Sequence, residues 1–313
     1  MQENTLSSLG LDQDYYGFAQ LPYLELRRTE FSRQHYKPHS HPQLSIGAIL
    51  AGSTQVHYQG KFQTAELGDL VIINPEQVHY CNPAAGDFRS YYMLYLDSQW
   101  CKTKLAALFC HKESCRSEDN QEINEQEKSH QAEISPQERA LSLSLESSEQ
   151  VFCPSMTLKD PELFQNYLDT VDALLNQQLT QAEQRLEQLV FELFSRHFSL
   201  PQKQQPEHAL TQQCRRHLLA DLAAAVSIEQ IAQQLDCRTE TLIRQFKRDT
   251  GISPKAFLNN ARIEQAKLLL KQGNSQAEVA LAVGFSDQSH FHKAFVNFTS
   301  ATPGQYQKVN SSH

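Results

Sequence analysis

No run of about 18 apolar residues occurs in the 313-residue chain, so the pattern of a membrane-spanning helix is missing. The opening residues, MQENTLSSLGLDQDYYGF, have neither the basic start nor the apolar stretch of a signal peptide, and a cytoplasmic home is expected. No CxxC occurs. Seven cysteines, at positions 81, 101, 110, 115, 153, 214 and 237, are odd in number and scattered, which argues against a disulfide framework or a zinc ribbon. A basic excess is lacking too, since the formal net charge is −8. That figure hides an asymmetry. Residues 211–313 carry 12 Lys/Arg against 8 Asp/Glu, whereas residues 1–210 carry 16 against 28. An acidic module joined to one that meets an anion is the reading this division suggests.

What is present falls into blocks. HPQLSIGAILAG, STQVHYQGKFQTAELG, DLVIINPEQVHY and FRSYYMLYLD are short, rich in Val, Ile, Tyr and Leu, and separated by Gly, Pro or Asn. They read as strands of a small sandwich or barrel over residues 1–110. Residues 113–150 hold ten acids, three bases and no aromatic residue, and 111–158 is expected to be a flexible acidic insertion. Helical spacing returns over 159–199: Leu163, Phe164, Leu168, Val171, Leu174 and Leu175, then Leu186, Leu189, Val190, Leu193, Phe194 and Phe198. Two helices joined near Leu179–Thr180 fit, and periodicity leaves open whether they cover the strands or pair between protomers. Residues 200–210, with two prolines and several glutamines, read as a linker.

The last hundred residues are helical and contain a repeat. LIRQFKRDTGISPKAF (242–257) recurs as FHKAFVNFTSATPGQY (291–306) at an offset of 49 residues. Leu242 matches Phe291, Arg244 matches Lys293, Phe246 matches Phe295, and Ser253–Pro254 matches Thr302–Pro303. Each copy follows a short apolar helix and a tight turn, so each unit predicts helix, turn, helix and a capped stop. Between the copies, Phe257, Ala261, Leu269 and Leu270 are expected to face inward from one long helix. In GFSDQSHFHKAF, Phe291 and Phe295 share the core face, leaving Gln288, His290, His292 and Lys293 for base or phosphate contact. The equivalent candidates in the first copy are Glu240, Thr241, Arg244, Lys247 and Arg248.

Residues 211–309 resemble the DNA-binding domain of AraC-type transcription regulators. The matching residues are IA at 231–232, L-x-R-x-F-K at 242–247, G-x-S-P at 251–254, R-x-x-x-A-x-x-L-L at 262–270, VGFSDQSHFHKAF at 283–295 and TPGQY at 302–306. The resemblance departs in the second copy, where Ser300 replaces the usual glycine and Val296 and Asn297 replace usual basic residues. Weaker phosphate contact from an intact second unit is expected there.

The N-terminal half is similar to the cupin-like sensor domain of the same regulators, through H-x-H at 39 and 41, Gly52, Gly68–Asp69, Pro75 and His79. The resemblance implies an α+β protein of two domains: a cupin-like β-barrel with a helical pair, then an all-α domain with two helix-turn-helix units. It implies promoter DNA, a small-molecule effector, a homodimer and RNA polymerase as partners, no cofactor and no catalytic residue, with activation favoured. His39, His41, Gln43 and His79 are the effector-binding candidates, with Tyr58 and Tyr80 as alternatives. By strand alternation His39 and His41 share a face. Three imidazoles could be solvated, line a pocket or hold a metal for a cupin enzyme. No acid follows H-x-H before Glu66, where a cupin metal site adds a glutamate, so no metal is expected. A DNA-binding protein that answers to no ligand is the remaining alternative.

Overall fold

A computed structural model describes residues 13–58, 60–107, 153–197, 207–225 and 227–311. The N-terminal half is an eight-stranded antiparallel fold: β1 (Gln13–Gly17), β2 (Leu24–Ser32), β3 (Leu44–Tyr58), β4 (Lys61–Glu66), β5 (Leu70–Ile73), β6 (His79–Asn82), β7 (Arg89–Leu96) and β8 (Thr157–Leu158). One layer runs β1-β2-β7-β3-β5-β8, while β4 and β6 pair with the second half of β3. β3 therefore belongs to both layers. It turns the corner at Gly52, where φ is +69° and an added Cβ would lie 1.9 Å from the Phe88 carbonyl oxygen, so only glycine fits. The sequence reading expected a turn between two strands here. The structure shows one bent 15-residue strand instead, because the register shifts without breaking the pairing to β7.

Alternation along the strands makes two cores. Leu44, Ile46, Leu70, Ile72, Leu94 and Leu96 face outward onto helices, and Ile49, Val71, Ile73, Tyr91 and Met93 face inward. With both faces covered, β5 reads LVII with no polar position. The covering helices are α1 (98–107), α2 (Pro161–Leu175) and α3 (Leu179–His197). Leu163, Val171, Leu186, Leu189 and Phe194 join the same core as Ile46 and Leu94, and the Tyr167 hydroxyl donates to the Ile46 carbonyl at 3.0 Å. The helical pair thus covers the barrel.

Two boundaries shift. Residues 153–158 were read as the end of the acidic insertion, yet β8 pairs with β5, and Asn74 exchanges hydrogen bonds with the Cys153 backbone at 2.9 Å. Too short to show periodicity, this edge strand gains its order from pairing and from the burial of Cys153, Met156 and Leu158. Most of the insertion, residues 198–199 of the expected helical pair with Phe198, and residues 200–206 of the linker lie outside the described residues. The linker reading also overran by two residues, because α4 begins at Ala209 with the His208 ring as its N-cap acceptor.

The C-terminal half comprises α4 (Ala209–Ala220), α5 (Ile228–Gln234), α6 (Thr239–Thr250), α7 (Pro254–Lys271), α8 (Gln276–Ala282), α9 (Gln288–Thr299) and α10 (Pro303–Ser311). The repeat offset holds to the residue, since α6 and α9 each begin and end 49 positions apart. Thr250 and Thr299 close their helices alike. Each hydroxyl donates to the carbonyl four residues back at 2.8 Å, and the following Gly251 or Ser300 is left-handed. The long helix α7 serves both units: Leu258 joins the first core, and Ile263, Ala266 and Leu270 join the second. The expected set differed, because α7 is enclosed on more than one face and also buries Asn260 and Arg262.

Candidate functional sites: a two-helix face and a barrel cavity

On α6, Leu242 and Phe246 are fully buried, while Glu240, Ile243, Arg244 and Lys247 form an exposed stripe at i, i+3, i+4 and i+7. Arg244 and Lys247 make no hydrogen bond or ion pair among the described residues, so both are free to meet a partner. Thr241, half-buried, and Arg248 flank the stripe, and Arg248 is held by Gln245 at 2.7 Å. On α9, Phe291 and Phe295 are buried, and the stripe equivalent by the 49-residue offset is Ser289, His292 and Lys293. Gln288 stands at its edge. His290 is less available, since its ring packs edge-on against Phe285 at 5.2 Å and its Nδ1 lies 3.3 Å from the Ser286 hydroxyl. Ile243 and Ser289 were missed as members of this face. Helical spacing carried the signal, because Ile243 stands three residues from Glu240, and Ser289 matches Glu240 at the 49-residue offset.

The second site is a cavity of about 60 Å³ inside the barrel. Arg27, Arg89, Tyr36, Tyr91, His41 and His79 contribute to its wall from the strands and loops. Asn260, Glu264, Lys267, Phe298 and Thr299 close it from the helical domain. The closure is bonded. The Tyr15 hydroxyl donates to the Thr299 carbonyl at 2.5 Å, Tyr306 donates to Glu25 at 2.6 Å, and Asn260 donates to the Ser40 carbonyl at 2.5 Å. Lys271 adds an ion pair to Glu25 at 2.9 Å. Burial opposes the Glu25 charge, but Lys271 and Lys267 outweigh it and hold the carboxyl below its usual range.

The structure brings His39, His41 and His79 together at this mouth, with ring centroids 4.5 Å (39–79), 4.9 Å (41–79) and 6.2 Å (39–41) apart. They do not lie on one strand face. His39 sits outside the named strands and bridges His79 directly. Each Nδ1 faces a backbone carbonyl two residues away, of Lys37, Gln43 and Gln77, at 2.8–3.0 Å. A carbonyl only accepts, so each Nδ1 carries the proton and each Nε2 is left as an acceptor. Burial keeps the rings neutral, pushing His39 down to about 4 and His41 to about 3, with His79 also well below its usual value. Among the described residues no group of three or more His, Cys, Asp or Glu is arranged to hold a metal ion.

Three other expected residues lie elsewhere. Gln43 does not line the cavity; Pro42 interrupts the extended backbone before β3, and Ser45 is the residue that turns inward, 3.4 Å from His41 Nε2. Tyr80 stacks on His57 at 4.2 Å, and half-buried Tyr58 packs beside the inward core without reaching the cavity. Conversely, Arg27, Arg89 and Lys267 were missed. In LELRRTEFS the apolar Leu24 and Leu26 mark one face as buried, and ordinary alternation assigns Glu25 and Arg27 to water.

Comparison with known proteins places this geometry. Residues 21–246 match the AraC-like ligand binding domain family, and residues 231–309 match a helix-turn-helix domain family. The transcriptional regulator MtrA of Neisseria gonorrhoeae is 41% identical over 83 residues, covering 26% of this chain and 28% of that protein. The transcriptional activator RhaS of Escherichia fergusonii is 39% identical over 84 residues, covering 25% of this chain and 30% of that protein. The matched segment thus spans under a third of these curated relatives. Two solved ToxT structures from Vibrio cholerae share the fold across both domains. An apo variant has a TM-score of 0.51 at 12% identity, covering 92% of this chain and 98% of ToxT. An unsaturated fatty acid-bound form has a TM-score of 0.50 at 14% identity, covering 96% of each. The chain belongs to the AraC-type transcriptional regulators.

Proposed function

We infer that this chain is a ligand-responsive transcription regulator whose two recognition helices read DNA and whose barrel cavity holds the effector. One observation carries the reading: the cavity is walled by both domains, so a molecule inside it touches the sensor and the DNA reader together. An effector that favours the closed arrangement by its own affinity difference shifts the population of chains whose helices are set for DNA. The fatty acid bound to one ToxT structure and the similarity to the activator RhaS favour a bound small molecule and activation. A homodimer in the cytoplasm that recruits RNA polymerase completes the proposal.

Glu240, Ile243 and Arg244 read bases, Arg244 through a bidentate fork to guanine. Lys247, Arg248 and Lys293 neutralise phosphates and set register. Thr241, Gln288, His290 and His292 complete the face. Selection of genomic fragments by the full-length protein tests this, with two short blocks about one helical turn apart as the expected product. Arg244→Ala should relax preference at one position and weaken the specific site by ~1–3 kcal/mol. An unchanged site profile in that variant would overturn the assignment.

A further inference from the structure

Arg27 on β2 and Arg89 on β7 are buried to 7% and 1% exposure, and neither pairs with a carboxylate among the described residues. Their guanidinium groups share two aromatic neighbours. Arg27 lies 5.2 Å from the Tyr91 ring and 5.7 Å from Tyr36, and Arg89 lies 5.7 Å and 5.4 Å from the same two. Part of each is satisfied: Arg27 Nη2 donates to the Tyr91 hydroxyl at 2.8 Å, Arg27 also donates to the Tyr15 hydroxyl, and Arg89 Nη2 donates to the Gln34 carbonyl at 2.9 Å. Arg27 Nε, Arg89 Nε and Arg89 Nη1 are buried with no hydrogen-bond partner among the described residues. Buried charges in proteins are paired, because desolvation is otherwise uncompensated. The nearby acids are already engaged, Glu25 by Lys271 and Tyr306, and Glu264 by Lys267 at 3.4 Å.

The cavity therefore holds two cationic forks with open donors and, among the described residues, no carboxylate paired to them. Tyr36 reports the same field. Burial alone would raise its phenol, yet Arg27 and Arg89 bring it down to about 8. A planar guanidinium matches a carboxylate through two parallel N–H···O bonds. The wall beside the arginines is apolar, formed by Ile49, Val71, Ile73 and Met93. A cavity of about 60 Å³ suits a small anion.

We propose that the cavity binds a short-chain carboxylate, its anionic end held by Arg27 and Arg89 and its carbon chain against the apolar wall. Lys267, reaching in from α7, lets the same anion draw the helical domain onto the barrel. The inference rests on the effector reading above and names the ligand class for that site.

The test measures binding to full-length protein without DNA, so that it stands or falls apart from the regulatory reading. Acetate, propionate, lactate and succinate are titrated against sulfate, phosphate and oleate, with ionic strength fixed by chloride. At about a hundredfold excess over Kd, at least one short carboxylate should raise Tm by roughly 5 °C. Arg27→Met and Arg89→Met should each abolish that rise. Met replaces an unpaired buried charge at similar length, so both variants are expected to fold. Tyrosine absorbance of the unsubstituted protein supplies a second reading, in which the bound carboxylate moves an ionisation near pH 8 upward. Response to oleate alone, equal response to sulfate or phosphate, or no response would each overturn the proposal. Carboxylate binding that leaves affinity for selected DNA unchanged would keep the site and remove its role as an effector site.

Discussion

The two helix-turn-helix units descend from one sequence pattern, yet they sit differently on the barrel. Among the described residues, α4–α6 of the first unit send no hydrogen bond or ion pair to the strands. The second unit is clamped. Thr299 at the end of α9 accepts from Tyr15, Tyr306 of α10 donates to Glu25, and Phe298 lies 6.2 Å edge-on from the His39 ring. The exposed faces differ in the opposite sense. The first unit offers Arg244, Lys247 and Arg248, and the second offers Lys293 with Val296 and Asn297 behind it. The repeat therefore pairs a unit richer in exposed cations with a unit bonded to the barrel.

The largest expected effect comes from breaking the joint between the units. Gly284 has φ +82°, and a Cβ there would lie 2.4 Å from the Leu222 carbonyl oxygen and 2.9 Å from Ala223 Cα. That loop is also tied down by Arg262, which donates to the carbonyls of Leu222 and Ala224 at 2.9 Å. Gly284→Ala should therefore destabilise the helical domain by about 3–4 kcal/mol, read as a lower denaturation midpoint. Gly273→Ala shares the positive φ but meets nothing within 4 Å, and should cost about 1–2 kcal/mol. Equal losses would mean that the joint contributes nothing.

Acid should next separate the clamped unit from the free one. His39, His41 and His79 have folded pKa values depressed from 6.5, so the unfolded or opened chain binds more protons below that pH. Their contribution is complete above pH 6.5 and is lost as pH falls through about 4, with Arg27 and Lys267 nearby opposing the new charges. Glu25 adds to the loss below its ordinary value of 4.5. Hydrogen exchange over this window should accelerate in α9 and α10 before α5 and α6. Simultaneous acceleration in both units would remove the distinction.

The smallest effect tests the repeat itself. Ser300 occupies the left-handed cap that Gly251 fills in the first unit, with φ 60° against 83°. Its hydroxyl is buried at the domain boundary, where it faces the Tyr36 phenol. Ser300→Gly should stabilise the protein by about 1 kcal/mol, and urea titration of the full chain would register it. A loss of stability would show that the hydroxyl has a use at the domain boundary.

Much of this architecture was legible because the relevant signals are local. The 49-residue offset relates α6 to α9 to the residue, since buried Leu242, Phe246, Phe291 and Phe295 must recur at helical spacing in each copy. His39, His41 and His79 were legible as a group and do meet. Gln43 was drawn in by adjacency, and the break before β3 turned it away. β1 and β2 were not singled out, because Tyr, Glu and Arg at inward positions resemble a solvated strand. Nothing local reveals that the opposite wall of the cavity arrives from a helix more than 200 residues later.

By itself, then, the sequence determined the helices, their caps, the repeat and the polar stripes, all set by contacts within a few residues. Only the tertiary structure decided which polar groups lost their water. Arg27 and Arg89 are ordinary charged residues until two strands, four tyrosines and the helical domain enclose them. Burial is a property of the whole assembly, because desolvation depends on every neighbour that displaces solvent, and it turns two strand arginines into a site that calls for an anion.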